Sequence, residues 1–116
     1  MEPLYAGVDL GGTNIKCAIA RADGTVEATR SVATRSHEGP GAVLERIAGL
    51  AADLCGGARP AALGMAVPGL VDRRAGVTKF LPNFPTQWRD VPAADLLQEL
   101  GEVGAEVGHA PIIATG

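Results

Sequence analysis

The chain has 116 residues, of which 47% are hydrophobic and 3% aromatic, and its formal net charge at pH 7 is −3. This length allows one domain with a modest core, and the small negative charge gives no general attraction to nucleic acid or to an anionic membrane. The N-terminus lacks the basic region and apolar core of a signal peptide, and no apolar run approaches the ~18 residues that span a bilayer. We therefore expect a cytoplasmic protein with neither nucleic-acid nor membrane partners.

The first motif lies at the junction of two predicted strands. Apolar runs at Leu4–Val8 and Ile15–Ala20 predict the strands, and Gly11-Gly12 predicts the turn between them. Glycine has no Cβ, so the N–H groups of such a turn can approach phosphate oxygens closely, and Thr13 adds a hydroxyl donor. Asp9, at the end of the first strand, can hold Mg²⁺ directly or through water. The alternative is an ordinary hairpin with a partly buried aspartate.

The next segments predict a meander, a helix and a further strand. A turn before Thr25–Ala33 adds a third antiparallel strand. Apolar residues then recur at helical spacing over Gly41–Cys55, and Gly56-Gly57 is placed to end that helix. Ala61–Val67 follows as a buried strand.

Beyond that strand, residues that break regular structure become frequent. Leu70–Trp88 is predicted to form loops with one short strand at Val77–Phe80. Asp90 is a candidate cap for a second helix. The apolar face of that helix is predicted to consist of Leu96, Leu97 and Leu100.

Three segments taken together resemble the ROK family of bacterial sugar kinases and repressors, within the actin-like ATPase superfamily. They are residues 9–16, residues 64–72 with their Pro68-Gly69 pair, and residues 82–88, which contain Asn83 and Trp88. The resemblance runs from about Tyr5 to Leu100. It implies an α/β fold: an actin-like ATPase (ribonuclease H-like) lobe whose mixed sheet opens with the three-strand meander, followed by the helix and the further strand. The lobe would comprise residues 1–100.

The resemblance also implies an activity and a set of site residues. The activity is ATP-dependent phosphorylation of a hexose, glucose to glucose 6-phosphate, with ATP as co-substrate and Mg²⁺ as cofactor. The implied contacts to phosphate and Mg²⁺ come from Asp9, Gly11, Gly12, Thr13, Asn14 and Lys16. The implied sugar contacts come from Gly69, Asn83, Glu106 and His109. For Lys16, strand alternation allows an orientation toward solvent equally well. Asn83 has a second interpretation as a turn-forming asparagine, and Trp88 is interpreted as a packing residue.

The resemblance breaks after Leu100. In the family the following strand ends in Asn-Asp, whose aspartate is the general base, and no Asn-Asp pair occurs in this chain. We therefore expect impaired catalysis. Residues 101–116 are set apart as an atypical glycine-rich tail, in which Glu106–His109 resembles the family's later Gly-Glu-x-Gly-His segment, with Ala105 in place of its first glycine. A competing alignment places Pro111–Gly116 on the strand that ends in Asn-Asp.

The last expectations concern zinc binding and alternative functions. The family's zinc-binding cysteine cluster is missing, so no zinc site is expected, and Cys17 and Cys55 are interpreted as buried thiols. Two other functions stay open. One is a non-catalytic sugar- or nucleotide-binding remnant, or a chain that completes its cleft in a homo-oligomer. The other is a sugar-sensing repressor, although only eight residues precede Asp9 and leave no room there for a DNA-binding helix-turn-helix.

Overall fold

The computed structural model describes residues 2–101 and 104–109 as a mixed α/β structure. The strands and helices, in chain order, are β1 (Leu4–Leu10), β2 (Asn14–Arg21), β3 (Val26–Ala33), α1 (Pro40–Leu54), β4 (Ala62–Val67), β5 (Leu70–Asp72), β6 (Val77–Phe80), α2 (Ala93–Gly101) and β7 (Gly104–His109). Five strands form one sheet in the order β3-β2-β1-β4-β7, and β5 pairs with β6 in a second sheet. The antiparallel meander, the helix after it and the further strand are confirmed.

The large sheet is mixed because its two halves are connected differently. Tight turns join β1 to β2 and β2 to β3, so these pairs are antiparallel. Helix α1 connects the meander to β4, which runs parallel to β1, and α2 precedes β7, which runs parallel to β4. The ends of β1, β4 and β7 therefore meet at one edge of the sheet.

Helix α1 begins and ends where its sequence predicts. Pro40 occupies the first turn, where its missing N–H costs no intrahelical hydrogen bond. At the other end Gly56 and Gly57 have φ of 70° and 90°, and the N–H of Gly57 donates to the carbonyl of Ala52 (2.9 Å). This left-handed ending stops the helix before the chain continues to β4.

Both helices pack on the same face of the large sheet. The buried side chains of α1 and α2 form one core with every second residue of β1, β2, β4 and β7. The core residues of the sheet are Ala6, Val8, Leu10, Ile15, Cys17, Ile19, Leu63, Met65, Val67, Ala105 and Val107. The opposite face is open and lined by small residues. A Cβ added at Gly7, Gly64 or Gly104 would meet no atom within 4 Å.

Two expectations for residues 70–90 are wrong. A second short strand, Leu70–Asp72, pairs antiparallel with β6; three residues are too few to show a period in the sequence. Asp90 does not cap α2, which begins at Ala93. Instead, Asp90 has φ of 55° and its carboxylate pairs with the Lys79 ammonium (2.8 Å).

Helix α2 buries its leucines unequally. Leu97 is buried, Leu96 is half-buried, and Leu100 is 43% exposed. Trp88 is completely buried, which confirms its interpretation as a packing residue. In the described ranges no helix combines the length and the apolar composition needed to cross a membrane.

The last described strand belongs to the large sheet. Gly104–His109, set apart in sequence as part of a tail, pairs with the whole of β4, with Ala66 opposite Gly108 and Val67 opposite His109. The strand after α2 is thus the Glu106–His109 segment. The competing segment, Pro111–Gly116, lies outside the described residues.

Candidate functional site

The turn between β1 and β2 has a backbone that only glycine fits at its first position. The N–H of Gly11 donates to the carbonyl of Asn14 (2.9 Å), which closes the turn. A Cβ on Gly11 would lie 2.7 Å from that same carbonyl oxygen, closer than such atoms approach without a backbone shift. The chain therefore needs glycine at position 11 to make a turn this tight.

The carbonyls of this turn are held on its inner side by Thr34. The Thr34 hydroxyl donates to the carbonyl of Gly11 (2.7 Å), and the Thr34 N–H donates to the carbonyl of Thr13 (2.8 Å). The N–H groups of Gly12 and Thr13 have no acceptor among residues 2–101 and 104–109, and both residues are exposed. With the carbonyls of Gly11 and Thr13 bound inward and these two N–H groups free, the turn is suited to binding an anion.

Asp9 and Lys16 are cross-strand neighbours beside this turn. They are paired in the β1–β2 register, with Ala66 on the far side of Asp9 and Ser31 on the far side of Lys16. Both side chains are exposed, and both line a cavity of about 820 Å³ over the open face of the sheet. No ion pair to Asp9 occurs among the described residues, so its carboxylate is available as a ligand for Mg²⁺.

Asn83 lies against the turn although it is distant in sequence. A Cβ added at Gly12 would be 3.9 Å from the Cβ of Asn83. Asn83 is exposed, whereas Leu81 and Phe84 on either side of it are buried and fix its position. The fold thus brings the exposed side chain of Asn83 beside the turn that carries the two free N–H groups.

The loop that carries Asn83 is closed by its own contacts. The N–H of Leu81 donates to the carbonyl of Gln87 (2.8 Å), and the rings of Phe84 and Trp88 meet edge to face at 5.2 Å between centroids. Thr86, Gln87 and Trp88 all have positive φ, which non-glycine residues rarely adopt. Such a backbone persists where the surrounding contacts determine it.

Gly69 contacts the strand that leads into this loop. A Cβ on Gly69 would lie 2.2 Å from the carbonyl oxygen of Phe80 and 2.7 Å from the Leu81 side chain. Only glycine therefore allows the end of β4 to pack on the end of β6. This packing places the Pro68-Gly69 bend beside the Asn83 loop.

The remaining candidate residues are on β7. Glu106 is exposed and is paired with Gly64 of β4, so it lies on the open face, with β4 between it and Asp9. The backbone of His109 is opposite Val67, and its side chain lies outside the described part of the structure. The structure thus brings Asp9, Lys16, the turn and Asn83 together, and places Glu106 on the same face but farther away. Among the described residues no group of three or more His, Cys, Asp or Glu side chains could hold a metal ion.

Comparison with known proteins identifies the family. Residues 5–110 match the ROK family. The chain belongs to the ROK family. This ROK chain is 35% identical to the glucokinase of Thermotoga maritima over 93% of its own length, and it spans 39% of that relative. It is 30% identical to the glucokinase of Streptomyces coelicolor, covering 82% of the chain and 29% of the relative.

Solved structures show the same fold. A ROK family glucokinase from Streptomyces griseus, in complex with glucose and AMPPNP, superposes with a TM-score of 0.80 at 27% identity, covering 91% of the ROK chain and 33% of that structure. An inorganic polyphosphate/ATP-glucomannokinase from Arthrobacter sp. strain KM superposes with a TM-score of 0.77 at 26% identity, covering 92% of the ROK chain and 44% of that structure. The ROK chain therefore has the fold of a sugar-kinase lobe of the actin-like ATPase type, and it spans less than half of these relatives.

Two residues that contact the loops of the candidate site were not predicted from the sequence. Thr34 follows β3 without a glycine-rich context, and Thr78 lies in the middle of the short strand β6. A threonine in or after a strand is common, so neither position carries a local signal. Only the three-dimensional structure shows that each contacts a loop of the candidate site.

Proposed function

We propose that this chain binds Mg·ATP and a hexose as the first lobe of an ATP-dependent sugar kinase, with glucose as the substrate, glucose 6-phosphate as the product and the cytoplasm as its location. The observation that carries the proposal is the proximity of the Gly11–Thr13 turn, which presents free N–H donors, to Asn83, whose side chain is exposed. A site that binds phosphate and a site that binds sugar hydroxyls are thereby adjacent, as phosphoryl transfer requires.

On the phosphate side, the N–H groups of Gly12 and Thr13 donate to phosphate oxygens, and the hydroxyl of Thr13 and the amide of Asn14 lie at the same turn. Lys16 provides the nearest positive charge on the open face, cross-strand from Asp9. Asp9 would hold Mg²⁺, which supplies neutralisation of phosphate charge when bound. The exposure and free carboxylate of Asp9 support this role.

On the sugar side, the amide of Asn83 exchanges hydrogen bonds with hexose hydroxyls. Gly69 packs directly on Phe80 and Leu81, which holds the bend beside the Asn83 loop. Glu106, in the middle of β7, and His109, at its end, are proposed as further sugar contacts. A hexose held between these groups would direct its 6-hydroxyl toward a phosphate bound on the turn.

Transfer by this chain is proposed to be impaired. The family's Asn-Asp pair is absent from the sequence, so no aspartate of that motif can take the proton from the sugar hydroxyl. Binding depends on the turn and on Asn83, which are both present, and it should survive the loss of the base. A purely binding remnant, or a cleft completed by a second copy of the chain, is the alternative that the experiment below separates from a working kinase.

The experiment is an NMR titration of the ¹⁵N-labelled chain with glucose and with Mg·AMPPNP, in which the backbone amide chemical shifts report binding. A parallel assay measures glucose-dependent ADP formation. We expect glucose to shift the signals around Asn83 and the nucleotide to shift those of Gly12 and Thr13. Replacing Asn83→Ala should weaken glucose binding about tenfold through the lost hydrogen bonds, whereas Gln98→Ala, an exposed amide on α2, should not.

The outcomes distinguish a chain that only binds its ligands from one whose cleft is completed in an oligomer. Binding with negligible turnover supports an impaired kinase or a binding remnant. A rate of ADP formation per chain that rises with protein concentration supports a cleft completed in an oligomer. Absence of both glucose and nucleotide binding in the unaltered chain would contradict the proposed function.

A further inference from the structure

Two hydroxyl side chains are completely buried among the described residues, and each contacts one loop of the candidate site. They belong to Thr34 and Thr78, both with 0% exposure. The Thr34 hydroxyl donates to the carbonyl of Gly11 in the phosphate turn, and the Thr78 hydroxyl donates to the carbonyl of Trp88 in the Asn83 loop, each at 2.7 Å. Burying a hydroxyl is unfavourable unless it is hydrogen-bonded, so these two bonds determine where the loops can lie.

Thr34 controls the orientation of the phosphate turn. Two adjacent glycines have wide backbone freedom, so the peptide between Gly11 and Gly12 could rotate its carbonyl outward. An outward carbonyl would repel a phosphate, whereas an outward N–H donates a hydrogen bond to it. The Thr34 hydroxyl binds the carbonyl of Gly11 on the inner side, which turns the N–H of Gly12, in the same peptide, to the outer side. The Thr34 N–H binds the carbonyl of Thr13 and so anchors the other end of the turn.

Thr34 is in turn held by helix α1. The Arg46 guanidinium donates from Nη1 to the Thr34 carbonyl (2.6 Å), and its Nη2 forms an ion pair with Glu38. Arg46 is half-buried and follows two fully buried α1 residues, Val43 and Leu44, with a third, Ile47, next to it. The position of the phosphate turn is therefore fixed to the helix layer on the other side of the sheet.

Thr78 has the corresponding place beneath the sugar loop. Its N–H donates to the carbonyl of Val91 (2.9 Å), and its hydroxyl donates to the carbonyl of Trp88. Three consecutive residues of this loop have positive φ, which is an unfavourable backbone for non-glycine residues. The buried bond from Thr78 stabilises that backbone, and the loop presents Asn83 on the opposite side.

We propose that Thr34 and Thr78 are separate positioning residues, Thr34 for the phosphate-binding turn and Thr78 for the hexose-binding loop. The proposal rests on the proposed function for the identity of the two ligands. Neither threonine contacts a ligand, and each acts through the loop that it holds. A consequence is that the two binding affinities can be changed independently by two substitutions of the same kind.

The test uses each threonine as the matched control for the other. Thr34→Val and Thr78→Val each remove a buried hydroxyl and nearly keep the side-chain volume. The hydrogen bonds that they remove, to the carbonyls of Gly11 and Trp88, are both 2.7 Å long. We expect Thr34→Val to weaken binding of Mg·tripolyphosphate about tenfold with glucose affinity unchanged, and Thr78→Val to do the reverse. Thr34→Ser and Thr78→Ser keep the hydroxyl and should restore the respective affinity.

A purely structural role would give a different pattern. The proposal would be overturned if both valine variants weakened the binding of both ligands to the same extent. It would also be overturned if neither variant changed the affinity for either ligand. Folding is checked on the same samples by the amide signals of residues far from both loops.

A ligand-free measurement separates this proposal from the proposed function. Without ligand, Thr34→Val should shift the amide signals of Gly12 and Thr13 and leave the indole signal of Trp88 unchanged, and Thr78→Val should do the opposite. Trp88 is the only tryptophan of the chain, so its indole signal needs no assignment. If the unaltered chain bound neither ligand, the proposed function would fail, but the ligand-free shifts would still decide the positioning roles. Loops whose signals do not respond to the valine variants would refute those roles.

Discussion

Gly12 and Asn83 are neighbours in space, because a Cβ on Gly12 would lie 3.9 Å from the Cβ of Asn83. The first belongs to the turn between β1 and β2, and the second to the loop after β6, in the other sheet. The contact exists because β4 runs parallel to β1 and delivers the Pro68-Gly69 bend to the same edge as the turn. The two motifs of the sequence thus lie on opposite sides of the candidate site.

The two glycines of the turn should respond differently to alanine. A methyl at position 11 would meet the Asn14 carbonyl oxygen at 2.7 Å, so Gly11→Ala should destabilise the fold by about 1–3 kcal/mol. A methyl at position 12 would make only an ordinary contact to Asn83, so Gly12→Ala should change stability by less than about 0.5 kcal/mol. Urea denaturation followed by Trp88 fluorescence measures both. Equal losses of stability would show that the crowding at position 11 is not present in solution.

Gly12→Ala should nevertheless weaken anion binding, because its methyl occupies the gap between the free N–H groups and Asn83. Titration of the variant with Mg·tripolyphosphate checks this. Unchanged affinity would mean that the phosphate does not approach the turn from the Asn83 side.

Gly76 should be more sensitive than Gly24 to the same substitution. Both have positive φ, 67° and 92°, so alanine costs about 1 kcal/mol at either position from the backbone alone. At Gly76 the added Cβ would also lie 2.2 Å from the Cβ of Ala94, whereas at Gly24 it would meet nothing within 4 Å. We expect Gly76→Ala to be destabilised by about 1–3 kcal/mol more than Gly24→Ala in urea denaturation. A difference near zero would contradict the close packing of the β5–β6 turn on α2.

Stability should depend on the ionisation of Glu38. A hydrogen bond from Arg46, supported by the positive charge of Arg35, holds the pKa of the Glu38 carboxyl below its usual value of 4.5. A lowered pKa in the folded state means that the contribution is fully present above pH 4.5 and is lost as the pH falls through the folded-state pKa. The unaltered chain should therefore lose more stability than Glu38→Gln between pH 6 and pH 3.

Glu45→Gln is the control for that comparison, since Glu45 is an exposed carboxylate of α1. Urea denaturation at several pH values gives the free energy of unfolding for all three proteins. If Glu38→Gln and Glu45→Gln had the same acid dependence as the unaltered chain, the Arg46 contact would contribute nothing to stability.

The two cysteines should differ in reactivity. Burial, together with the nearby Cys55, raises the pKa of the Cys17 thiol to about 11. At pH 8 only about one Cys17 in a thousand would then be a thiolate, and its 2% exposure further limits access. Labelling with a thiol reagent should modify Cys55 first, with Cys17 reacting as the protein unfolds. Cys55→Ser and Cys17→Ser variants assign the two rates, and a Cys17 rate equal to that of Cys55 would contradict the burial.

The amount that could be predicted differed between long and short elements. Helix α1 has five buried positions at helical spacing and a double-glycine ending, so its limits were correct to within one residue. Strand β5 has three residues, and no period can be detected over that length. Asp90 has the residue type of a helix cap, but its ion pair with Lys79 and its positive φ place it outside the helix. Residue type alone did not locate the helix start there, because α2 begins at Ala93, beyond Asp90.

By itself the sequence determined the family, the meander, α1 and the glycine turn, because these depend on local spacing, on alternation and on the absence of a Cβ at defined positions. Only the tertiary structure decided that Asn83 adjoins Gly12, that Lys16 lies beside Asp9 on the open face, and that Thr34 and Thr78 hold the two loops. The physical reason is that hydrogen bonds from buried hydroxyls and contacts across a sheet join residues far apart in the chain. Spacing along the sequence carries no information about such pairs until the strands are placed in order.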